Sequence, residues 1–136
     1  TMASGCEAIQ FLPFQNQDQI PVIYRVGDIT VLPSQYNETW GLALNESMAS
    51  GRTVMTTLQA GAAIDLVETG VTGFLIDSEA EDSHQAISEL PGRQQLLAMG
   101  AHCQTFIRSN WSFDRIVVAI HEQLLKCVSI QGQVTV

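Results

Sequence analysis

The sequence predicts an α/β fold in which helices cover a parallel sheet. Apolar runs of strand length alternate with segments of helical periodicity along the chain. The candidate strands lack polar alternation, which is typical of strands buried on both faces. With 136 residues, 46% of them hydrophobic, the chain is long enough for one domain with a core and too short for two.

The elements follow one another in a regular order. Strands are predicted from apolar or β-branched runs at residues 8–12, 28–34, 53–57 and 73–77. Helices are predicted at residues 20–27, 40–50, 61–70, 79–90, 93–110 and 111–128. Gly51 and Gly70 end two of these helices, and Ser112 is the N-cap of the last one. Residues 129–136 are expected to form a mobile tail.

Charge and cysteine content exclude several classes of partner. Six basic against fourteen acidic residues give a net charge of −8, and no cluster of Lys and Arg could bind nucleic acid or an anionic membrane. The apolar runs are shorter than the ~20 residues of a membrane span, so no transmembrane segment is expected. Three widely spaced cysteines indicate neither a disulfide framework nor zinc, which favours a cytoplasmic location.

The candidate functional site lies between the strand at 28–34 and the helix at 40–50. Ligands of parallel sheets bind beyond the carboxyl ends of the strands, where helix N-termini meet them. The free amides of a helix beginning near Gly41 favour an anion such as a phosphate, and glycine allows close approach to the backbone. Glu38, at the rim, can accept hydrogen bonds from hydroxyl groups, as carboxylates do in sugar sites.

Two side chains of this segment have more than one interpretation. Glu46 is expected two turns inside an apolar helix, where an unpaired charge is costly. It either accepts hydrogen bonds from ribose hydroxyls or pairs structurally with an arginine or a backbone amide. Trp40 either stacks on a sugar or fills the core, and packing is the commoner use of a buried aromatic residue.

Segments 33–54 (PSQYNETWGLALNESMASGRTV) and 60–76 (AGAAIDLVETGVTGFLI) carry a family resemblance. They resemble the donor-binding signature of the retaining, nucleotide-sugar-dependent glycosyltransferases with the GT-B fold, often called family 4. Glu38 and Glu46, separated by seven residues, match the paired-glutamate motif of that family, and residues 48–51 follow at the expected distance. The resemblance covers about residues 9 to 120, and it is specific because several spaced motifs fall in order.

The resemblance implies a truncated half of a GT-B fold, with one nucleotide-sugar-binding, Rossmann-like domain over residues 1–128. Glu38 would contact hydroxyls of the transferred sugar and is the catalytic candidate, and Glu46 would hold the ribose. The donor-binding residues would be Glu38, Thr39, Trp40, Gly41, Leu42 and Glu46. The resemblance also implies no metal and no cofactor, because the nucleotide diphosphate sugar is itself the substrate.

The sequence departs from the family at several points. Pro13 and Thr39 stand where glycine is common, and Asp65 stands where many members have Glu. No segment matches the first GT-B domain, the first two strands of the second domain, or the Arg and Lys that clamp the diphosphate, so anion binding is expected to be weak. Without those strands, either the strand at 8–12 moves beside the one at 28–34, or two chains pair their edges in a homodimer.

Two functions are therefore predicted. The first is a glycosyltransferase donor domain that transfers a hexose from a nucleotide diphosphate sugar to a carbohydrate or lipid-linked acceptor, and that needs a missing N-terminal half for activity. The alternative is a non-enzymatic or vestigial module that assembles through exposed sheet edges. A metal site is not expected, because His84, His102 and His121 are scattered over separate helices.

Overall fold

The computed structural model describes residues 8–36, 38–77 and 80–131. Within these residues the elements are α1 (Ile20–Tyr24), β1 (Ile29–Leu32), α2 (Leu42–Ala49), β2 (Thr53–Thr56), α3 (Ala63–Leu66), β3 (Gly73–Leu75), α4 (Ala80–Ser88), α5 (Arg93–Asn110) and α6 (Phe113–Gln131). The alternation of helices and strands is the predicted one.

The three strands form a parallel sheet in the order β1-β2-β3. Ile29 lies opposite Thr53 at one end of the β1–β2 pair, and Val54 lies opposite Gly73 in the β2–β3 pair. All four residues of β2 are buried, because β2 has a strand on each side and also contacts α2 and α5. The predicted α/β class, a parallel sheet flanked by helices, is confirmed.

The core lies between the sheet and the helices α2 and α5. Its buried members are apolar residues of α2, β2, α3, the loop before α3, and α5: Leu44, Met48, Val54, Ala60, Ala62, Ala63, Leu66, Cys103 and Ile107. Helix α2 contacts both α5 and the sheet, so the position of its first turn is fixed by the core. The candidate site rests on this helix.

The predicted strand at 8–12 is wrong. The described residues there form a turn and an irregular segment, and the side chains of Phe11 and Leu12 are 78% and 56% exposed. A strand needs a partner for its backbone amides and carbonyls, and this segment pairs with none of the three described strands. The hypothesis that it moves beside β1 is therefore also wrong, and edge pairing between two chains stays a prediction.

The predicted helix at 61–70 is shorter than expected. Helix α3 ends at Leu66 because the Thr72 hydroxyl donates to the Leu66 carbonyl at 2.8 Å and accepts from the Glu68 amide at 2.8 Å. These two bonds replace the helical partners of both backbone groups. Gly70 follows in a left-handed turn, with φ of 81°, before β3 begins.

Other boundaries differ by a few residues. Helix α2 begins at Leu42 rather than residue 40, and Gly51, with φ of 80°, follows its last turn as predicted. Ser112 caps α6 by accepting from the Arg115 amide at 3.4 Å. Helix α6 runs through Gln131, so residues 129–131 are helical rather than part of a tail, and residues 132–136 lie outside the described residues.

Candidate functional site

The loop at residues 38–41 leads into the first turn of α2. Gly41 is the N-cap residue in a left-handed conformation, φ 90° and ψ 60°, and no side chain caps the helix. The first amides of an α-helix have no intrahelical acceptor, so those of Leu42 and Ala43 are directed toward the loop. The positive end of the α2 dipole adds to this, and the arrangement suits an anion.

Backbone contacts with residues 61 and 62 hold the 38–41 loop in place. The Gly61 amide donates to the Glu38 carbonyl at 3.3 Å, and the Ala62 amide donates to the Trp40 carbonyl at 2.8 Å. A Cβ atom at position 61 would lie 2.1 Å from the Thr39 carbonyl oxygen, so only glycine permits this approach. The loop is therefore held in place before any ligand arrives.

Trp40 is used in packing. Its ring lies 5.4 Å from that of Trp111 at an interplanar angle of 48°, and its indole nitrogen donates to Asn45 Oδ1 at 2.6 Å. The ring also packs against the buried core. Of the two interpretations of Trp40, the structure favours packing, which leaves its backbone as the part available to a sugar.

Glu38 lies at the start of α2. A Cβ atom at Gly41 would be 3.6 Å from Glu38 Cγ, which places the side chain of Glu38 against the N-cap residue. Glu38 is half-buried, whereas Thr39 and Leu42 are exposed. The five consecutive donor-binding residues predicted from the sequence thus surround one helix N-terminus.

Glu46 differs from the sequence-based expectation. It is exposed rather than buried, since it lies on the same face of α2 as Leu42, one turn further on. Its Oε2 accepts a hydrogen bond from the Tyr24 hydroxyl at 3.0 Å, so its partner is neither an arginine nor a backbone amide. Burial and the hydrogen bond to Glu46 raise the pKa of Tyr24 to about 12.

A cavity of about 240 Å³ lies between α1 and α2 beside Glu46. Its lining residues come from the start and end of α1 and from the second half of α2: Gln17, Ile20, Pro21, Arg25, Glu46, Ala49 and Ser50. Arg25 is the one cation among them, and its Nε donates to the Ser50 carbonyl at 3.2 Å. None of residues 38–42 lines this cavity, so Glu46 borders the cavity between α1 and α2, whereas Glu38 lies beside the N-cap of α2.

Sequence reasoning missed the parts of the site that come from α1. Arg25 and Tyr24 are 21 and 22 residues before Glu46, and no local pattern pairs them with it. Gly61 falls within segment 60–76, which carries the family resemblance, but its contact with Thr39 is a tertiary feature that the segment does not reveal. The signal that could have suggested Tyr24 is its place at the end of a short apolar helix, where a hydroxyl needs a partner.

The described residues contain neither a candidate metal site nor a helix that could span a membrane. Within ranges 8–36, 38–77 and 80–131, no group of three His, Cys, Asp or Glu side chains could hold a metal ion. In the same part of the chain, no helix combines the length and apolarity needed to cross a bilayer. The expectation of metal-free chemistry stays a prediction.

Comparison with known proteins identifies the class to which this fold and site belong. Residues 4–98 match the family described as "Glycosyl transferases group 1", and the chain belongs to this family. It is similar to the D-inositol 3-phosphate glycosyltransferase of Salinispora arenicola, with 32% identity over 130 residues that cover 93% of this chain. It spans 28% of that enzyme's length, so it corresponds to a part of the curated relatives.

Solved structures give the same fold. Sucrose-phosphate synthase from Thermosynechococcus elongatus superposes with a TM-score of 0.69 at 17% identity, over 89% of this chain and 30% of that one. HepE of Anabaena, solved in complex with UDP-glucose, superposes with a TM-score of 0.68 at 26% identity, over 90% of this chain and 32% of that one. The predicted resemblance to part of a GT-B glycosyltransferase is confirmed, and the roles of individual site residues stay predictions.

Proposed function

We propose that this chain is the donor-binding part of a retaining glycosyltransferase that transfers a hexose from a nucleotide diphosphate sugar to a carbohydrate or lipid-linked acceptor. The observation that carries the proposal is the uncapped N-terminus of α2, held against a loop whose backbone is fixed by Gly61 and Ala62. The similarity to HepE, which was solved with UDP-glucose, supports a nucleotide sugar as the donor.

The residues would divide the donor between them. The amides at the start of α2 would bind the diphosphate and stabilise the charge on the departing phosphate as the anomeric bond breaks. Glu38, beside the N-cap, would accept hydrogen bonds from the hydroxyls of the sugar. Glu46, one turn along α2, would accept from the ribose hydroxyls. Acceptor binding and turnover would need the remainder of a GT-B enzyme, so this chain alone is expected to bind donor without transferring it.

The alternative of a non-enzymatic assembly module is not favoured, because the relatives to which the chain is similar include glycosyltransferases. No observation of the described residues requires that alternative.

Nucleotide binding tests the proposal. Ligand-observed NMR with UDP, GDP and ADP should detect weak binding of at least one nucleotide, and Glu46→Gln should weaken it by about 10-fold or more, since a hydrogen bond to a charged group is worth ~1.5–3 kcal/mol. Glu38→Gln should leave the nucleotide affinity unchanged and should remove any gain in affinity that the attached hexose provides.

Glu122→Gln on α6 is the matched control, because it removes one carboxylate from an exposed helical position far from the loop in sequence. It should leave nucleotide binding unchanged. If Glu46→Gln and Glu122→Gln weaken nucleotide binding equally, the weakening comes from the change in net charge and not from a contact of Glu46 with the nucleotide. Absence of binding by the unaltered chain would contradict the proposal.

A further inference from the structure

Tyr24 makes a contact that the proposed donor roles do not explain. It is the last residue of α1, it is half-buried, and its hydroxyl donates to Glu46 Oε2 at 3.0 Å across 22 residues of sequence. Glu46 is otherwise an exposed glutamate on a helix surface. A free glutamate of that kind samples several rotamers, and a ligand that needs one of them must immobilise the side chain at a cost of about 0.5–1.5 kcal/mol.

The end of α1 that carries Tyr24 is itself fixed. A five-residue helix is not stable alone, so its position depends on tertiary contacts. Arg25 Nε donates to the Ser50 carbonyl at the end of α2, at 3.2 Å. Arg52, which follows α2, also binds the end of α1. Its Nη2 donates to the Arg25 carbonyl at 2.9 Å, and its Nε donates to the Gly27 carbonyl at 2.8 Å.

The direction of the hydrogen bond is also fixed. Burial, followed by the nearby Glu46 carboxylate, raises the pKa of Tyr24 to about 12, so the phenol keeps its proton at any physiological pH. Tyr24 therefore donates and Glu46 accepts. With Oε2 engaged in this way, Oε1 and the second lone pair of Oε2 are left for another donor, and the cavity between α1 and α2 adjoins this carboxylate.

We propose that Tyr24 is a positioning residue, which holds the Glu46 carboxylate in the rotamer that accepts the ribose hydroxyls of a nucleoside diphosphate. This inference rests on the proposed function and adds a residue to it. Tyr24 acts through Glu46 and does not itself contact the ligand. Its effect on affinity is therefore confined to ligands that carry ribose hydroxyls.

A double comparison of protein variants and nucleotides tests this. UDP and 2′,3′-dideoxy-UDP are titrated into the full chain and into its Tyr24→Phe variant, with binding followed by ligand-observed NMR. The variant keeps the ring and loses only the hydroxyl. We expect Tyr24→Phe to weaken UDP binding about 5- to 10-fold, as the loss of one hydrogen bond would do, and to leave dideoxy-UDP binding unchanged. Tyr36→Phe, at a residue that is 85% exposed, is the matched control and should change neither.

The outcomes separate the two proposals. Equal weakening of both nucleotides by Tyr24→Phe would assign Tyr24 a merely structural role and overturn the inference. If Glu46→Gln removes the preference for UDP over dideoxy-UDP and Tyr24→Phe does not reduce it, the proposed function stands and the inference fails. If the unaltered chain shows no such preference, the ribose role of Glu46 fails, and the inference fails with it.

A second variant guards against a folding artefact. In a Glu46→Gln background, Tyr24→Phe should have no further effect on UDP binding, because its target carboxylate is gone. An additional loss in that background, of the same size as in the unaltered chain, would overturn the inference even if both variants fold. Urea midpoints of the unaltered chain, the three single variants and the double variant establish that all five are folded under the conditions of the titration.

Discussion

The Cys103 side chain shows how a single buried polar group is accommodated in this core. Its thiol is fully buried and donates to the Thr72 carbonyl at 2.9 Å, while the Thr72 hydroxyl donates to the Leu66 carbonyl. Burial raises the pKa of the Cys103 thiol to about 12, because a thiolate in this apolar surrounding would lose its hydration. Cys103 is therefore an inert packing residue.

The raised pKa of Cys103 predicts a pH dependence of stability. A thiol whose pKa is higher in the folded than in the unfolded chain contributes stability below pH 9, and this contribution is lost as the pH rises toward 12. Chemical unfolding should show that the free energy of unfolding declines as the pH rises over this range. The slope of that decline should be shallower in Cys103→Ser than in the unaltered chain, by up to about 1.4 kcal/mol per pH unit. The Ser hydroxyl can still donate to Thr72 but does not titrate there.

Parallel slopes in the two proteins would contradict this account. Alkylation gives an independent check near neutral pH, where peptide mapping should find Cys127, which is exposed, modified by iodoacetamide and Cys103 unmodified.

At the scale of elements, α5 lies close against the turn after α2. A Cβ atom at Gly100 would lie 2.3 Å from the Gly51 carbonyl oxygen and 3.1 Å from Arg52 Cα. Gln104, one turn further along α5, donates to the Ala49 carbonyl at 2.9 Å and so satisfies an acceptor at the end of α2. The candidate site depends on this contact, because α2 carries Glu46 and its N-terminus adjoins the loop that carries Glu38.

Gly100→Ala tests the closeness of α5 and α2 by the sign of its effect. Helix propensity alone would make the Gly100→Ala variant more stable than the unaltered chain by about 1 kcal/mol. The clash with Gly51 should instead lower the free energy of unfolding by ~1–3 kcal/mol. Urea unfolding measures the difference. Gly92→Ala, at the N-cap of the same helix with open space around it, should lower the free energy of unfolding by less than about 1 kcal/mol, through the weaker N-cap preference of alanine. Stabilisation by Gly100→Ala would refute the contact.

The elements that the sequence predicted well are those whose signals are local. The β-branched run of β1 and the periodicity of α5 were sufficient, and α5 has the predicted bounds. The strand at 8–12 failed because its apolar composition is local while a strand's stability depends on a neighbour. The end of α3 failed because the Thr72 hydroxyl competes for the helix's backbone groups from six residues away.

The candidate site also contains one part that local sequence predicts and one part that depends on tertiary packing. Residues 38–42 are consecutive, so their arrangement around one helix N-terminus follows from the strand-loop-helix pattern. The exposure of Glu46 and its bond to Tyr24 depend on how α1 packs against α2, which no local pattern specifies.

At the scale of the whole molecule, buried and exposed apolar side chains are unevenly distributed. Leu44 on α2 is fully buried. Helix α6 in contrast exposes a run of large apolar residues, among them Val117 at 63%, Ile120 at 55% and Leu124 at 60%. These α6 side chains contribute little to the stability of the chain as described, because they remain in water.

Matched leucine truncations test this division. Leu44→Ala should lower the free energy of unfolding by about 2–5 kcal/mol through lost burial and a cavity, whereas Leu124→Ala should change it by less than ~0.5 kcal/mol. Urea denaturation at two protein concentrations is the measurement. A cost at Leu124 that grows with protein concentration would show instead that a second copy covers α6.

The pairing of Trp40 with Trp111 has an optical consequence. These are the only two tryptophans in the sequence, and their rings are 5.4 Å apart. Excited states of indoles so close together couple, so the tryptophan emission and the tryptophan bands of the near-ultraviolet circular dichroism arise from one site. That site includes the residue next to Gly41, and the chain therefore carries a built-in spectroscopic reporter of the loop that precedes α2.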